Sequence, residues 1–259
     1  MRYRTQAISS TNIMYIVRLQ THGKEGTTLK QVKVQRTREQ MRAAIISAAA
    51  QSFAEKGYNA SALREIAAAA NVNIGSLLHI FGNKEEILAE IIQVVLDKQF
   101  EVTANIIKDL TDDKLLFYAT ETVLQLHIVE MNGNLRDVYS TAYSLPKSSS
   151  VIQHTITEKL ENVFKEHLPE LETKDFYKLE IASGGIMRGF MTIPCDMWFT
   201  MDQKVESFLE TTFLIYEVPK DKIKEAIAFI KKIDFESIAN QTVKDIIAYF
   251  EGCAETGNL

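Results

Sequence analysis

The chain has 259 residues, enough for one large or two modest domains, and its 46% apolar and 24% charged content is that of a globular protein. Cys195 and Cys253 form no CxxC or Cys/His ligand spacing, which argues for a reducing compartment and against a disulfide framework or a structural zinc. No run approaches the ~18 apolar residues of a membrane helix, and a net charge of −5 excludes a uniformly basic protein that wraps DNA.

That charge is graded along the chain. Residues 1–35 hold six bases and one acid, residues 36–98 seven of each, and residues 99–259 sixteen bases and twenty-six acids. An acidic total therefore leaves room for a local nucleic-acid contact. Residues 1–35 mix Ser, Thr, Gln and Gly without a sustained period. They read as a flexible arm or an upstream start with little folded role, or as a basic arm that touches DNA phosphates.

From Arg36 onward the pattern is helical, and the expected class is all-α. Met41, Ile45, Ala48, Ala49 and Phe53 fall on one stripe that Gly57 ends. Ser61 is the expected N-cap of a second helix, on which Leu63, Ile66, Ala67 and Ala70 share a face. The break Asn71-Val72-Asn73 follows. Asn71 suits a left-handed turn, and the Asn73 side chain suits the cap of a new helix. A longer helix begins near Lys84, with Ile87, Leu88, Ile91, Ile92 and Val95 on one side. Further helical stripes run over 112–131, 148–167, 173–193, 203–217, 220–232 and 236–250. The expected organisation is a basic extension (1–35), a three-helix domain (36–83) and a larger helical domain (84–259).

The helix from Asn73 to Phe81 is too short to stand alone, since isolated helices under about 12–15 residues are marginal in water. On a helical wheel of about 100° per residue, Leu77 and Phe81 point to the packing side. Gly75, Ser76 and His79 point away from it, with Leu78 and Ile80 on the shoulders. A helix propped by neighbours and lean on its far side has the geometry of the second element of a helix-turn-helix, which enters the DNA major groove.

Residues 38–88 resemble the N-terminal domain of the tetracycline-repressor (TetR) family of bacterial transcription regulators. The resemblance runs through Phe53…Gly57-Tyr58, Ile66-Ala67, the Val72 turn, Gly75-Ser76-Leu77 and Phe81-x-x-Lys84-x-x-x-Leu88. Three positions depart from the family pattern: Leu78 stands at a frequent phosphate-binding tyrosine, Ile80 at a usual histidine or aromatic, and Asn71 at a usual glycine. The resemblance implies a DNA-contacting set of Arg64, Asn73, Ile74, Gly75, Ser76, Leu78, His79 and Lys84. Ser76 and His79 would reach base edges, Gly75 would allow close backbone approach, and Ile74 and Leu78 would meet thymine methyls. Arg64 would meet phosphate or guanine, and Lys84 would meet phosphate at a helix N-terminus.

For the acidic domain the resemblance implies a small-molecule site and pairing of two subunits. Phe117, Tyr118, His127, Met131, Tyr139, Tyr143, Met187, Met191 and Trp198 supply aromatic and sulfur-bearing surface suited to an apolar or amphipathic ligand, or to a core. His127 and Glu130 would orient a ligand or satisfy one another. Gly185 and Gly189 offer a small-x-x-x-small face, and with Phe208 and Phe213 they are the expected dimer contacts. There is no Glu-x-x-His pair, HExxH, P-loop or nucleophile context, so no enzyme, cofactor or metal is expected. The resulting expectation is a cytoplasmic, ligand-responsive repressor that binds a double-stranded operator as a homodimer, without a membrane partner. The alternative is a helical protein-interaction or small-molecule carrier module that has lost DNA binding, favoured by Leu78, Ile80 and the neutral head.

Overall fold

The computed structural model describes residues 36–258; the expectations for residues 1–35 lie outside them. Residues from Glu39 onward form one compact unit. Among the described residues every regular element is a helix. They are α1 (Arg38–Lys56), α2 (Leu63–Ala69), α3 (Ile74–Phe81), α4 (Lys84–Ile107), α5 (Lys114–Glu130), α6 (Gly133–Ala142), α7 (Pro146–Phe164), α8 (Thr173–Thr192), α9 (Met201–Ile215), α10 (Lys220–Ile230) and α11 (Phe235–Thr256).

The first three helices close over Ile45, Ile46, Phe53, Ile66, Leu77 and Ile87, all fully buried. Asn71 adopts φ 54°, the left-handed turn its residue type favours. Ser61 departs from expectation. Ala62 is the N-cap of α2 and makes no side-chain cap bond. The buried Ser61 hydroxyl instead donates to the Gly57 carbonyl (2.7 Å) and accepts from Ser52 Oγ (2.8 Å), fastening the exit of α1.

In the larger part α5 is the axis, in contact with α4 and with every helix from α6 to α11. Its residues from Leu115 to Val129 are buried almost without interruption, as a helix wrapped on all sides must be. Helix α7 packs between α4 and α8. Helix α6 was not foreseen, because Asn132-Gly133-Asn134 reads as a turn. In the fold Asn132 is its N-cap, accepting from the N–H groups of Asn134 and Leu135.

Phe208 and Phe213, expected at a dimer contact, are 1% and 0% exposed. Phe213 sits in an aromatic cluster with Tyr118 (ring centroids 5.7 Å apart), and Phe164 stacks on Tyr216 at 4.0 Å. Apolar spacing gave those residues a packed face and could not say whether the partner was another subunit or the same one.

Candidate nucleic-acid interface and ligand cavity

Helix α3 is held by its two apolar anchors, Leu77 and Phe81, which are 0% and 6% exposed. Asn73 caps it, its side-chain oxygen accepting the Ser76 N–H at 2.7 Å. On the far side Gly75 and His79 are exposed, Ile74 and Leu78 are bare, and Ser76 is half-buried. A methyl group at Gly75 would meet only the helix's own cap oxygen, at 3.2 Å. Among the described residues no other element packs against that glycine; its leanness bears on what lies outside.

The two basic residues expected at phosphate differ. Arg64 on α2 is exposed and makes no ion pair among the described residues, whereas Lys56 is held by Glu65 and Arg42 by Glu90, each at 2.7 Å. Lys84 turns inward. Its ammonium donates to the carbonyls of Tyr58 (2.7 Å) and Ser61 (3.0 Å) and lies 4.1 Å over the Tyr58 ring. Burial lowers its pKa, partly opposed by the Asp137 carboxylate. The expectation of a free phosphate-binding charge is thus revised: Lys84 ties the α1–α2 connection to the start of α4, with at most one donor left for a ligand.

Helix α6 joins the same connection from the other side. Asp137 accepts from the Asn59 backbone N–H (2.9 Å) and the Asn59 amide (2.5 Å), and the Asn134 amide donates to the Glu55 carbonyl (2.5 Å). Gly57, at φ +81°, is needed there, because a Cβ would stand 2.7 Å from Asp137 Oδ2.

A cavity lies among α4, α5, α7, α8 and α9, with about 500 Å³ of space between its side chains, part of it open to solvent. Of the residues expected to line it, Phe117, Tyr118, Tyr143 and Met187 do so. His127, Met131, Tyr139 and Met191 do not. His127 stacks on Phe235 of α11 at 5.3 Å, and burial lowers its pKa despite nearby Asp202, Glu130 and Asp234. Tyr139 is buried, its hydroxyl accepting from the Gln99 amide at 2.7 Å. Met191 is fully buried core, and Met131 packs half-buried at the end of α5. Trp198 lies 80% exposed in the α8–α9 connection.

The lining also contains Phe100, Glu121, Gln125, Glu180 and Ser183, which were not expected at any site, and Phe208, which was expected at a dimer contact. Both acids are 3% exposed. Glu121 accepts from Gln125 (2.5 Å), whose amide oxygen in turn accepts from Tyr143 (3.2 Å). Glu180 accepts from Ser183 (3.2 Å), which accepts from Tyr216 (2.8 Å). Burial raises Glu121 to about 7, with the Gln125 bond opposing. Glu180 is raised to about 8 by burial and by the charge of Glu121, with Ser183 opposing. Their signal was available. Phe176, Glu180, Ser183 and Met187 form one helical stripe, so the acid lies on an inward face.

A second, partly open hollow, bordered by Ile152, Ile181, Gly185 and Arg188, shares Tyr143, Glu180 and Gly184 with the first. The outer face of α8 is bare. Ala182, Gly185 and Gly189 are exposed, Ile181 is 51% exposed, and Leu214 on α9 is 57% exposed. Among the described residues no other element comes within 4 Å of where a Cβ at Gly185 or Gly189 would stand. In contrast, Glu130 and the fully buried Lys204 are bound at 2.5 Å, with Arg136 on the other Glu130 oxygen (3.1 Å) and the Cys195 N–H beside it (3.1 Å). Burial would raise Glu130, but these bonds hold it below its usual range. Glu130 and His127 do not satisfy one another.

Among the described residues no helix is long and apolar enough to cross a membrane, and no three His, Cys, Asp or Glu residues are grouped as metal ligands. Residues 45–91 match the family model described as bacterial regulatory proteins, tetR family. The HTH-type transcriptional repressor KstR2 of Rhodococcus jostii (strain RHA1) is 36% identical over 81 residues, which is 31% of this chain and 40% of that protein. The chain therefore spans less than half the length of this relative. The structure of RolR in complex with resorcinol is 17% identical, with a TM-score of 0.60 over 73% of this chain and 94% of that one; it shares the fold. The TetR-family repressor AlkX from Dietzia sp. strain DQ12-45-1b is 13% identical, with a TM-score of 0.48 over 72% of this chain and 96% of that one. The family match thus covers residues 45–91, the segment that holds α2 and α3.

Proposed function

We propose that the chain is a DNA-binding transcriptional repressor that acts as a homodimer and leaves a near-palindromic operator when a small molecule fills its cavity. The observation that carries the reading is α3, sunk into the core by Leu77 and Phe81 and bare at Ile74, Gly75, Leu78 and His79. Such a face admits a duplex, and the free guanidinium of Arg64 stands one helix away to meet phosphate. Leu78 and Ile74 favour contact with thymine methyls over phosphate anchoring. The name of KstR2 supports repression rather than activation.

One head covers one half-site, so two are needed about 34 Å apart. The bare α8 face with Leu214 is the surface a second copy would cover, with Gly185 and Gly189 allowing the helices close approach. Coupling from cavity to head has a physical route: α6 ends at the cavity residue Tyr143 and carries Asp137, which holds the α1–α2 connection. A coupling of roughly 1–3 kcal/mol changes operator affinity 5–150-fold.

Electrophoretic mobility shift on the DNA flanking the chain's own gene tests the reading. Binding is expected to weaken with salt, and Arg64→Ala is expected to lower the slope of log affinity against log salt by about one. Absence of duplex binding at low salt, with the protein folded, overturns it.

A further inference from the structure

Taking the cavity as the effector site, as just proposed, we infer that its ligand is a cationic amphiphile: an apolar or aromatic body carrying a protonated amine that docks between Glu121 and Glu180. Two carboxyl groups, each 3% exposed, line one cavity from two helices, α5 and α8. Each has one oxygen engaged by a neutral donor, Gln125 or Ser183. The other oxygen of each, Glu121 Oε2 and Glu180 Oε1, receives no hydrogen bond from a described residue. Buried carboxyls are ordinarily paired with a base or with full sets of donors, so unfilled oxygens on a cavity wall mark a place for donors from outside.

The chemistry of the rest of the wall selects the charge of those donors. Phe100, Phe117, Tyr118 and Phe208 present rings to the same space, and ring faces attract cations. The one base in the lining is Lys159; its side chain is exposed, and its ammonium sits 4.9 Å over the Phe100 ring. A carboxylate ligand would face two acids with no base buried beside them. A neutral alcohol could fill the hydrogen bonds but would leave both acids protonated and gain nothing from their charge.

The titratable groups facing the space are Tyr118 and Glu121 from α5, Tyr143 from the end of α6, Lys159 from α7 and Glu180 from α8; Tyr216, after α9, reaches Glu180 through Ser183. Burial leaves the two acids protonated near neutrality. An ammonium entering between them favours the carboxylate. The proton leaves the carboxyl for solvent, and the ion pair that forms is a carboxylate with the ligand's ammonium. Binding therefore releases about one proton below neutral pH and tightens as pH rises toward about 8.

Isothermal titration calorimetry of the full chain with phenylbutylamine, phenylbutanol and phenylbutanoate tests this, repeated in buffers of different ionisation heat to count protons. The amine is expected to bind at least tenfold more tightly than the alcohol, with proton release. E121Q/E180Q is expected to erase that tenfold preference of amine over alcohol, with the helical circular dichroism and duplex binding unchanged. The inference is overturned if the alcohol or the carboxylate binds as well as the amine, if none of the three binds, or if the double substitution leaves the amine's affinity intact. Duplex binding is read separately. A chain that binds duplex but prefers the alcohol loses the ligand class and keeps the regulator reading. A chain that takes the amine but binds no duplex does the reverse.

Discussion

Two regions around α5 hold glutamates partly or wholly out of water, and they do so in opposite ways. Glu130 is enclosed by an ammonium, a guanidinium and a backbone N–H, and these hold it ionised. Glu121 and Glu180 have neutral hydrogen-bond partners and open space, and burial pushes both toward the protonated form. A buried charge that serves the fold comes with its counter-charges already in place, because an unpaired one costs several kcal/mol. A buried carboxyl that lines a cavity without them is maintained at some cost in stability, and it is there that a ligand has most to offer.

The most disruptive way to break the contrast is to make the first site resemble the second. Lys204→Met removes the base and leaves the half-buried Glu130 to Arg136 and the Cys195 N–H, and is expected to cost about 2–4 kcal/mol in urea unfolding. A smaller effect tests the cavity pair. Both acids have folded-state pKa values raised above the ordinary 4.5, to about 7 and about 8. Their contribution to stability is then full below about pH 4.5 and is lost as pH rises through those folded values. Stability should fall by a few kcal/mol (order of magnitude) from about pH 4.5 to about 8, and E121Q/E180Q should flatten that limb in melts across pH. Glu130 has the opposite sign: its lowered pKa gives stability present above the ordinary carboxyl range and lost in acid.

The smallest test concerns Lys84, whose partly buried ammonium is held by carbonyls rather than carboxylates. Lys84→Met is expected to cost about 1–3 kcal/mol of stability. Operator affinity in protein that remains folded should fall less than with Arg64→Ala, measured in the same gel assay. A larger loss for Lys84→Met, at unchanged stability, would return that lysine to phosphate.

Much of the architecture could be read from the chain because local rules and tertiary packing agreed. The stripe Leu77/Phe81, the left-handed Asn71 and the Asn73 cap all follow from residue type and a period of 3.6 residues. Disagreements arose where a residue's local meaning was overridden by something distant. Ser61 has the chemistry of a cap but is drawn to Gly57 and Ser52. Asn132-Gly133 resembles a turn but starts a helix fastened to Asn59 and Glu55 from seventy-odd residues away. Lys84 sits at a helix start where an anion would bind, yet carbonyls from the α1–α2 connection reach it first.

The cavity was the least legible part. Aromatic and methionine content pointed to Phe117, Tyr118, Tyr143 and Met187, which border the cavity, but could not separate them from His127, Tyr139 and Met191, which are of the same residue types and pack elsewhere. The acids were missed because a glutamate is by default a solvated residue. Their position within otherwise inward stripes was the evidence, and it requires reading burial from neighbours rather than from the residue itself.

Trp198 is the chain's single tryptophan, and it stands 80% exposed beside the equally bare Met197 in the connection leading from α8 to α9. Its indole is therefore a natural spectroscopic reporter for that edge of the molecule. Selective excitation near 295 nm (roughly the indole band edge, where tyrosine contributes little) reads this one site. Should a second copy settle over the edge, the emission maximum would move to the blue on dilution-reversible assembly, giving the association constant without any label.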